Sequence, residues 1–173
     1  MRLNNLLQGI PTGSTGKSLQ MDAEIGGVCF DSRNIKPGDL FIAVRGSASD
    51  GHQYIGMALE KGASAVLCEE IPAEFAQSAL ITTPDSHLAL GMAASNFYGR
   101  PSEAMKVVGI TGTNGKTTTV TLMHRLFTGL GYKCGLLSTI VNYIGDKEVE
   151  ATHTTPDPVQ MNSLMARMAA EGC

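Results

Sequence analysis

Short apolar runs alternate with helical periodicity over the first hundred residues, and this alternation predicts an α/β domain. Residues 28–30, 40–44, 65–67 and 79–82 are rich in β-formers and bounded by turn residues, which predicts four strands. Residues 54–59 have apolar positions at helical spacing, and Gly62 follows as a stop. Asp85 can cap a second helix over 85–98, with Leu88, Met92 and Phe97 facing inward.

The pattern changes at Gly99, Arg100 and Pro101, which predicts a boundary between domains 1–100 and 101–173. Residues 106–110 are apolar without alternation, as expected for a strand buried in a parallel sheet. A glycine-rich turn, a helix over 116–130 and a strand over 134–137 then predict the start of a doubly wound, mostly parallel sheet. A hairpin over 143–149 and a helix over 157–170, ended by Gly172, complete the predicted elements.

Composition limits the class of protein. Hydrophobic residues make up 43% and charged residues 17% of 173 residues, which is typical of a packed domain and not of a disordered chain. A net charge of −3 without a clustered basic surface argues against a nucleic-acid partner. The first residues lack the charged start and long apolar core expected of a signal peptide, and no apolar run approaches membrane-spanning length. The widely spaced cysteines predict reduced thiols in a cytoplasmic protein: Cys29, Cys68, Cys134 and Cys173.

The strongest chemical signal is a glycine-rich segment between the predicted strand over 106–110 and the helix after it. Its glycines let the backbone turn sharply so that amide groups and the helix amino end can face a polyphosphate. Lys116 can reach the terminal phosphates as the catalytic residue, and the Thr117 hydroxyl can bind Mg²⁺. The predicted ligands are therefore ATP and Mg²⁺, and the predicted cofactor-binding residues are Gly112, Thr113, Asn114, Gly115, Lys116, Thr117 and Thr118.

Two observations keep an alternative open. The common P-loop pattern requires a glycine where Ile110 stands, so an ordinary glycine-rich β–α turn is the competing interpretation. Residues 13–18 repeat the glycine–lysine–hydroxyl spacing, but no strand precedes them and no long apolar helix follows. We interpret them as a surface turn. We therefore expect substitution of Lys116, and not of Lys17, to abolish ATP binding in an intact protein.

Three sequence blocks resemble the Mur ligases. Residues 111–117 are similar to the nucleotide loop of Mur ligases and of folylpolyglutamate synthetase; the segments 31–33, 36–43 and 50–52 resemble a MurE-type N-terminal domain; and 152–158 resemble its central substrate loop. The resemblance implies an α/β fold, with a small N-terminal MurE-type domain followed by the truncated start of a P-loop, mostly parallel-sheet central domain. It implies an ATP-dependent ligase that adds meso-diaminopimelate or L-lysine to UDP-N-acetylmuramoyl-L-alanyl-D-glutamate through an acyl phosphate.

The resemblance also implies substrate-binding residues. For the UDP part they are Phe30, Ser32, Ser47, Ala48 and Ser49, and for the muramoyl-dipeptide part they are His153, Thr154 and Thr155. Alternatives remain for both groups. An Asp31–Arg33 pair can merely hold its turn, and Thr155 can cap the following helix. Asp50, Gly51 and His52 are interpreted as structural.

The same resemblance predicts missing parts, namely the rest of the central domain and a C-terminal domain. We therefore expect this chain, a monomer without membrane insertion, to show no ligase turnover with ATP, UDP-N-acetylmuramoyl-dipeptide and a diamino acid. A shortened gene product or an artificially shortened chain would both explain the length. The alternatives are a non-catalytic UDP-sugar- or nucleotide-binding module, and a P-loop ATPase unrelated to the cell wall. Binding of UDP-N-acetylmuramoyl-dipeptide would distinguish an unrelated P-loop ATPase, which should not bind it, from the ligase and the UDP-sugar-binding module.

Overall fold

The protein forms two compact units, Met1–Phe97 and Tyr98–Cys173. The computed structural model describes residues 1–46, 49–150 and 157–173. Both units combine helices with sheets, so the predicted α/β class is confirmed. Among the described residues, no helix has both the length and the apolar character needed to cross a bilayer.

A four-stranded parallel sheet forms the centre of the first unit. Its strands lie side by side in chain order and are β1 (Val28–Cys29), β2 (Leu40–Ile42), β3 (Ala65–Cys68) and β4 (Leu80–Thr82). Every residue of β2 and β3 is buried, because both faces of these inner strands are covered. All four predicted strands are confirmed.

Helices α1 (Leu3–Leu6), α2 (Ile55–Glu60) and α3 (Ser86–Phe97) belong to this unit. Asp85 caps α3 as predicted, since its Oδ1 accepts a hydrogen bond from the Leu88 amide at 2.9 Å. The predicted inward face is wrong for Leu88, whose side chain is 51% exposed. The buried stripe instead runs on the other side of the helix, through Ala89, Leu90, Ala93 and Ala94. Small alanines there allow α3 to approach β1 and β2 closely.

The segment 13–18 lies along the edge of β4 and is not a free surface turn. The amides of Gly13 and Gly16 donate to the carbonyls of Thr82 and Leu80 at 2.9 and 2.8 Å. The Thr82 amide donates in return to the Ser14 carbonyl at 2.9 Å. These bonds cover an otherwise open sheet edge, so the amides of both glycines in this segment are already used.

The second unit contains α4 (Lys116–Gly129), α5 (Pro158–Ala170) and the strands β5 (Gly135–Leu136), β6 (Val141–Ile144) and β7 (Lys147–Glu150). The strands form an antiparallel sheet in the order β5-β6-β7. The predicted hairpin is confirmed, with Gly145 at φ +57° in its turn. Gly172, at φ +80°, follows the end of α5 as predicted.

Asp157, and not Thr155, caps α5. Its Oδ1 accepts hydrogen bonds from the amides of Val159 and Gln160 at 2.8 and 2.9 Å. The capping alternative for Thr155 is therefore wrong, because Pro158 already occupies the first helical position. Thr155 itself lies outside the described residues.

The predicted buried strand over 106–110 is not seen. No described strand pairs with these residues, and Val107 and Val108 are 59% and 62% exposed. Because a strand requires hydrogen-bonding neighbours, an apolar run alone was not enough to form one. β5 pairs with β6 and not with this segment.

A largely apolar cavity of about 880 Å³ lies between residues 103–110, α4, β5 and α5.

Candidate functional site

The glycine-rich loop before α4 has the backbone conformation that the sequence predicts. Gly112 and Gly115 have φ of +148° and +80°, values that residues with a Cβ rarely adopt. An added Cβ would meet only the Asn114 carbonyl oxygen at 3.6 Å from Gly112, and no atom within 4 Å from Gly115. These glycines are therefore required for backbone conformation and not for close packing inside the protein.

The loop presents unused hydrogen-bond donors to solvent. Within the described part of the chain, no amide of residues 112–118 has a hydrogen-bond acceptor; the first amide that does is Thr119, which donates to Gly115 at 2.9 Å. Residues 111–116 are exposed. The segment 13–18 differs, since the amides of both its glycines pair with β4. Free amides at the start of a fourteen-residue helix are the arrangement that binds phosphate.

Two side chains add a cation and a hard oxygen to this loop. The Lys116 ammonium donates to the Gly112 carbonyl and, at 3.4 Å, to the Thr113 carbonyl, so it already lies over the loop. The Thr117 Oγ1 atom, on the first turn of α4, lies 3.3 Å from Thr139 Oγ1. A hydroxyl suits Mg²⁺, which takes few protein ligands and completes its shell with water and phosphate. The described residues contain no group of three or more His, Cys, Asp or Glu side chains placed to hold a metal.

The predicted substrate residues of the first unit follow two neighbouring parallel strands. Phe30 and Ser32 come directly after β1, and Ser49 lies beyond the carboxyl end of β2. Phe30 is 36% exposed, whereas Ser32 is only 7% exposed. Carboxyl ends of parallel strands are where α/β proteins bind ligands. The other predicted positions, Ser47, Ala48, His153, Thr154 and Thr155, lie outside the described residues.

The turn over 31–33 is held by ionic contacts. The Arg33 Nε and Nη2 atoms donate to the two Asp31 carboxylate oxygens at 2.9 and 2.7 Å. This pairing lowers the pKa of Asp31, and it is the contact that the alternative interpretation of this motif predicts. The Ser32 hydroxyl has no hydrogen-bond partner among the described residues, so the pair can hold the turn while Ser32 remains available to a ligand.

Lys61 contacts the predicted substrate segment, which the sequence did not indicate. Its ammonium, just after α2, donates to the carbonyls of Ser32 and Arg33 at 2.8 and 3.1 Å. The contact joins residues about thirty positions apart, so no local pattern could have revealed it. Lys61 therefore fixes the backbone directly after the Ser32 side chain.

A polar cluster holds the base of the turn that contains Ser49. The Glu69 amide donates to His52 Nε2 at 2.9 Å, so His52 Nδ1 carries the hydrogen and donates to Asp50 at 2.6 Å. Arg45 Nε lies 3.1 Å from the Glu69 carboxylate. The Ser86 hydroxyl also donates to Glu69 at 2.7 Å and lowers its pKa. The structural interpretation of Asp50 and His52 agrees with these contacts.

Two profiles of known protein families match separate parts of this chain. Residues 110–173 match the profile described as Mur ligase middle domain, and residues 24–98 match the profile described as Mur ligase family, catalytic domain. The chain belongs to the Mur ligase family. The first range contains the glycine-rich loop before α4. The second contains the residues predicted to bind the UDP part of the substrate.

Individual Mur ligases show how much of the family this chain covers. A UDP-N-acetylmuramoyl-L-alanyl-D-glutamate--2,6-diaminopimelate ligase from Cytophaga hutchinsonii is 56% identical over 154 residues, which are 88% of this chain and 32% of that protein. A solved structure with the same enzyme name has a TM-score of 0.72 at 23% identity, over 100% of this chain and 34% of its own.

A second solved structure, the MurF ligase from Thermotoga maritima in complex with ADP, has a TM-score of 0.52 at 26% identity. It matches 83% of this chain and 29% of its own length. The chain thus spans about a third of the length of these Mur ligases.

Proposed function

We propose that this chain is the substrate- and nucleotide-binding part of an ATP-dependent ligase of peptidoglycan synthesis. The reaction proposed for the whole ligase joins meso-diaminopimelate, or L-lysine, to UDP-N-acetylmuramoyl-L-alanyl-D-glutamate. Residues 1–100 bind the UDP part of the substrate, and residues 101–173 bind the phosphates of ATP. The proposal includes a cytoplasmic location, where the four free cysteines remain reduced.

The observation that carries the proposal is the row of unused amides over 112–118 at the amino end of α4, in a chain of the Mur ligase family. Lys116, Thr117 and Thr118 form the first turn of α4, whose amides have no intrahelical acceptor, and residues 112–115 extend this row of amides. A nucleotide polyphosphate supplies the acceptors that this loop lacks. The positive end of the α4 dipole and the Lys116 ammonium add electrostatic attraction for the same anion.

In the proposed reaction, the carboxylate of D-glutamate attacks the terminal phosphorus of ATP and ADP leaves. The amine of the incoming residue then attacks the acyl carbon, and phosphate leaves. The contribution of this chain is positioning and charge neutralisation, as in other phosphoryl transfers. The loop amides and Lys116 hold the phosphate oxygens, and the Thr117 hydroxyl is the group that would hold Mg²⁺.

The first unit supplies the other half of the proposed binding function. The Ser32 hydroxyl donates to the nucleotide part of the substrate from a turn that Asp31, Arg33 and Lys61 keep in place. Phe30 offers an exposed aromatic ring beside it. Ser47, Ala48 and Ser49, together with His153, Thr154 and Thr155, complete the proposed contacts to the UDP-muramoyl-dipeptide.

Titration of the chain with UDP-N-acetylmuramoyl-L-alanyl-D-glutamate tests this function. We expect saturable binding by calorimetry and a loss of roughly tenfold in affinity for Ser32→Ala, which removes one hydrogen bond to the ligand. The matched control is Ser102→Ala, at an exposed position of the second unit, which should leave affinity unchanged.

The same titration separates the alternatives. A P-loop ATPase unrelated to the cell wall should not bind this ligand at all. Binding that is equally strong in Ser32→Ala would place the UDP site elsewhere in the chain. Product formation by the chain alone, with all three substrates present, would contradict the expectation that it lacks ligase activity.

A further inference from the structure

The loop after β5 brings an unexpected hydroxyl to the phosphate loop. Thr139 is exposed and lies three residues beyond the carboxyl end of β5, and its Oγ1 atom is 3.3 Å from Thr117 Oγ1. The two residues are 22 positions apart, so their contact depends on the fold of the unit and not on local sequence. A hydroxyl in this position can share a hydrogen bond with the Thr117 hydroxyl.

Neighbouring side chains hold Thr139 in this place. The Ser138 hydroxyl donates to the Val141 carbonyl at 2.6 Å and accepts from the Val141 amide at 3.1 Å. The Ser138 amide donates to Oδ1 of Asn142, a side chain that is only 3% exposed. These bonds close a tight turn on both sides of Thr139 and leave its own hydroxyl directed at α4. The contact with Thr117 is therefore not that of a loose surface residue.

A hydroxyl has a single hydrogen, and this decides which of Thr117 and Thr139 donates in their contact when Thr117 binds a cation. A threonine hydroxyl has one hydrogen to donate and two lone pairs. If Thr117 Oγ1 gives a lone pair to a cation, its hydrogen must point away from that cation to another acceptor. Thr139 Oγ1 is the side-chain oxygen within hydrogen-bond distance of Thr117 in the described part of the chain. Groups that orient a metal ligand in this way typically contribute ten- to a hundredfold to metal affinity.

We propose that Thr139 is a positioning residue of the nucleotide site, whose Oγ1 accepts the Thr117 hydroxyl hydrogen and thereby orients Thr117 toward the Mg²⁺ of Mg–ATP. The inference rests on the proposed function, because it assumes that the loop over 112–118 binds ATP. It goes further by giving a role to a residue outside the glycine-rich motif. Thr139 acts through Thr117 and does not itself touch the cation.

The test is calorimetric titration of the chain with ATP, once with excess Mg²⁺ and once with EDTA. For Thr139→Val, which keeps the side-chain shape, we expect roughly tenfold weaker binding with Mg²⁺ and unchanged binding in EDTA. Thr139→Ser restores the acceptor and should restore Mg²⁺-dependent affinity. Thr128→Val, at an exposed threonine in the last turn of α4, is the matched control and should match the wild type in both titrations.

A double substitution sharpens the test. If Thr139 acts only through Thr117, adding Thr139→Val to Thr117→Val should weaken Mg–ATP binding no further. Equal losses for Thr139→Val with and without Mg²⁺, additive losses in the double variant, or no loss at all would each overturn the inference. Failure of the proposed function looks different, since the wild-type chain would then bind ATP no better than Lys116→Ala under either condition.

Discussion

Replacing Lys116 by alanine in an intact ligase that carries this sequence is expected to abolish ATP binding at ordinary nucleotide concentrations. The ammonium lies over the loop carbonyls of Gly112 and Thr113, beside the free amides that would face the phosphates. Its loss removes a charge-assisted hydrogen bond worth about 3 kcal/mol, which lowers affinity by roughly two orders of magnitude. Isothermal titration calorimetry with ATP and Mg²⁺ measures this change directly.

Lys17→Ala is the matched control, because Lys17 has the same spacing from two glycines and a following hydroxyl. The amides of both glycines in its segment, Gly13 and Gly16, pair with β4 and are not available to a phosphate. Affinity for ATP should therefore stay at the wild-type value. If Lys17→Ala lost ATP binding while Lys116→Ala kept it, the assignment of the nucleotide loop would be wrong.

The contrast between these two segments shows what sequence could and could not reveal. Both contain the same glycine–lysine spacing, and the sequence separated them by their flanking elements. The helix predicted after the second segment is α4, whereas the strand predicted before it is not seen. The sequence did not show that the amides of both glycines in the first segment are already bound to β4. Pairing with a strand sixty-odd residues away is a property of the tertiary fold, and no window of local sequence contains it.

Elements whose signal is local were predicted well. The four strands of the first unit are continuous apolar runs between turn residues, and Gly62 and Gly145 have the positive φ that a stop and a hairpin turn require. Elements that depend on partners were predicted poorly. Residues 106–110 have no neighbouring strand among those described, and Leu88 lies opposite the buried stripe of α3.

In the candidate site, too, residues with a local sequence signal were predicted and residues that depend on distant partners were not. The glycine-rich loop was evident because its chemistry lies in consecutive residues. Lys61 and Thr139 were missed because each reaches its partner across more than twenty positions. The UDP and muramoyl-dipeptide contacts were taken from resemblance, and they stay predictions.

Gly51→Ala is expected to destabilise the first unit by about 3 kcal/mol, the upper end of overpacking costs in a close-packed interior. A Cβ on Gly51 would lie 2.7 Å from both the amide nitrogen and the carbonyl oxygen of Val44. That backbone cannot retreat easily, because Ala43 is fully buried and donates to the Leu67 carbonyl at 2.8 Å. The turn at Asp50 must move instead, which breaks the bond from the Gly51 amide to Val44. Thermal unfolding followed by circular dichroism should show a midpoint lower by about 10–20 °C.

Gly91→Ala is the matched control, because both variants add one methyl group to the same unit. We expect its effect on the unfolding midpoint to have the opposite sign. Gly91 lies inside α3, and a Cβ there meets no atom within 4 Å. Alanine is the better helix former by about 0.5–1 kcal/mol, so this variant should unfold at a slightly higher temperature. Equal midpoints for the two variants would mean that Gly51 is not held against β2 as described. A lower midpoint for Gly91→Ala alone would mean that its side of α3 is covered in solution.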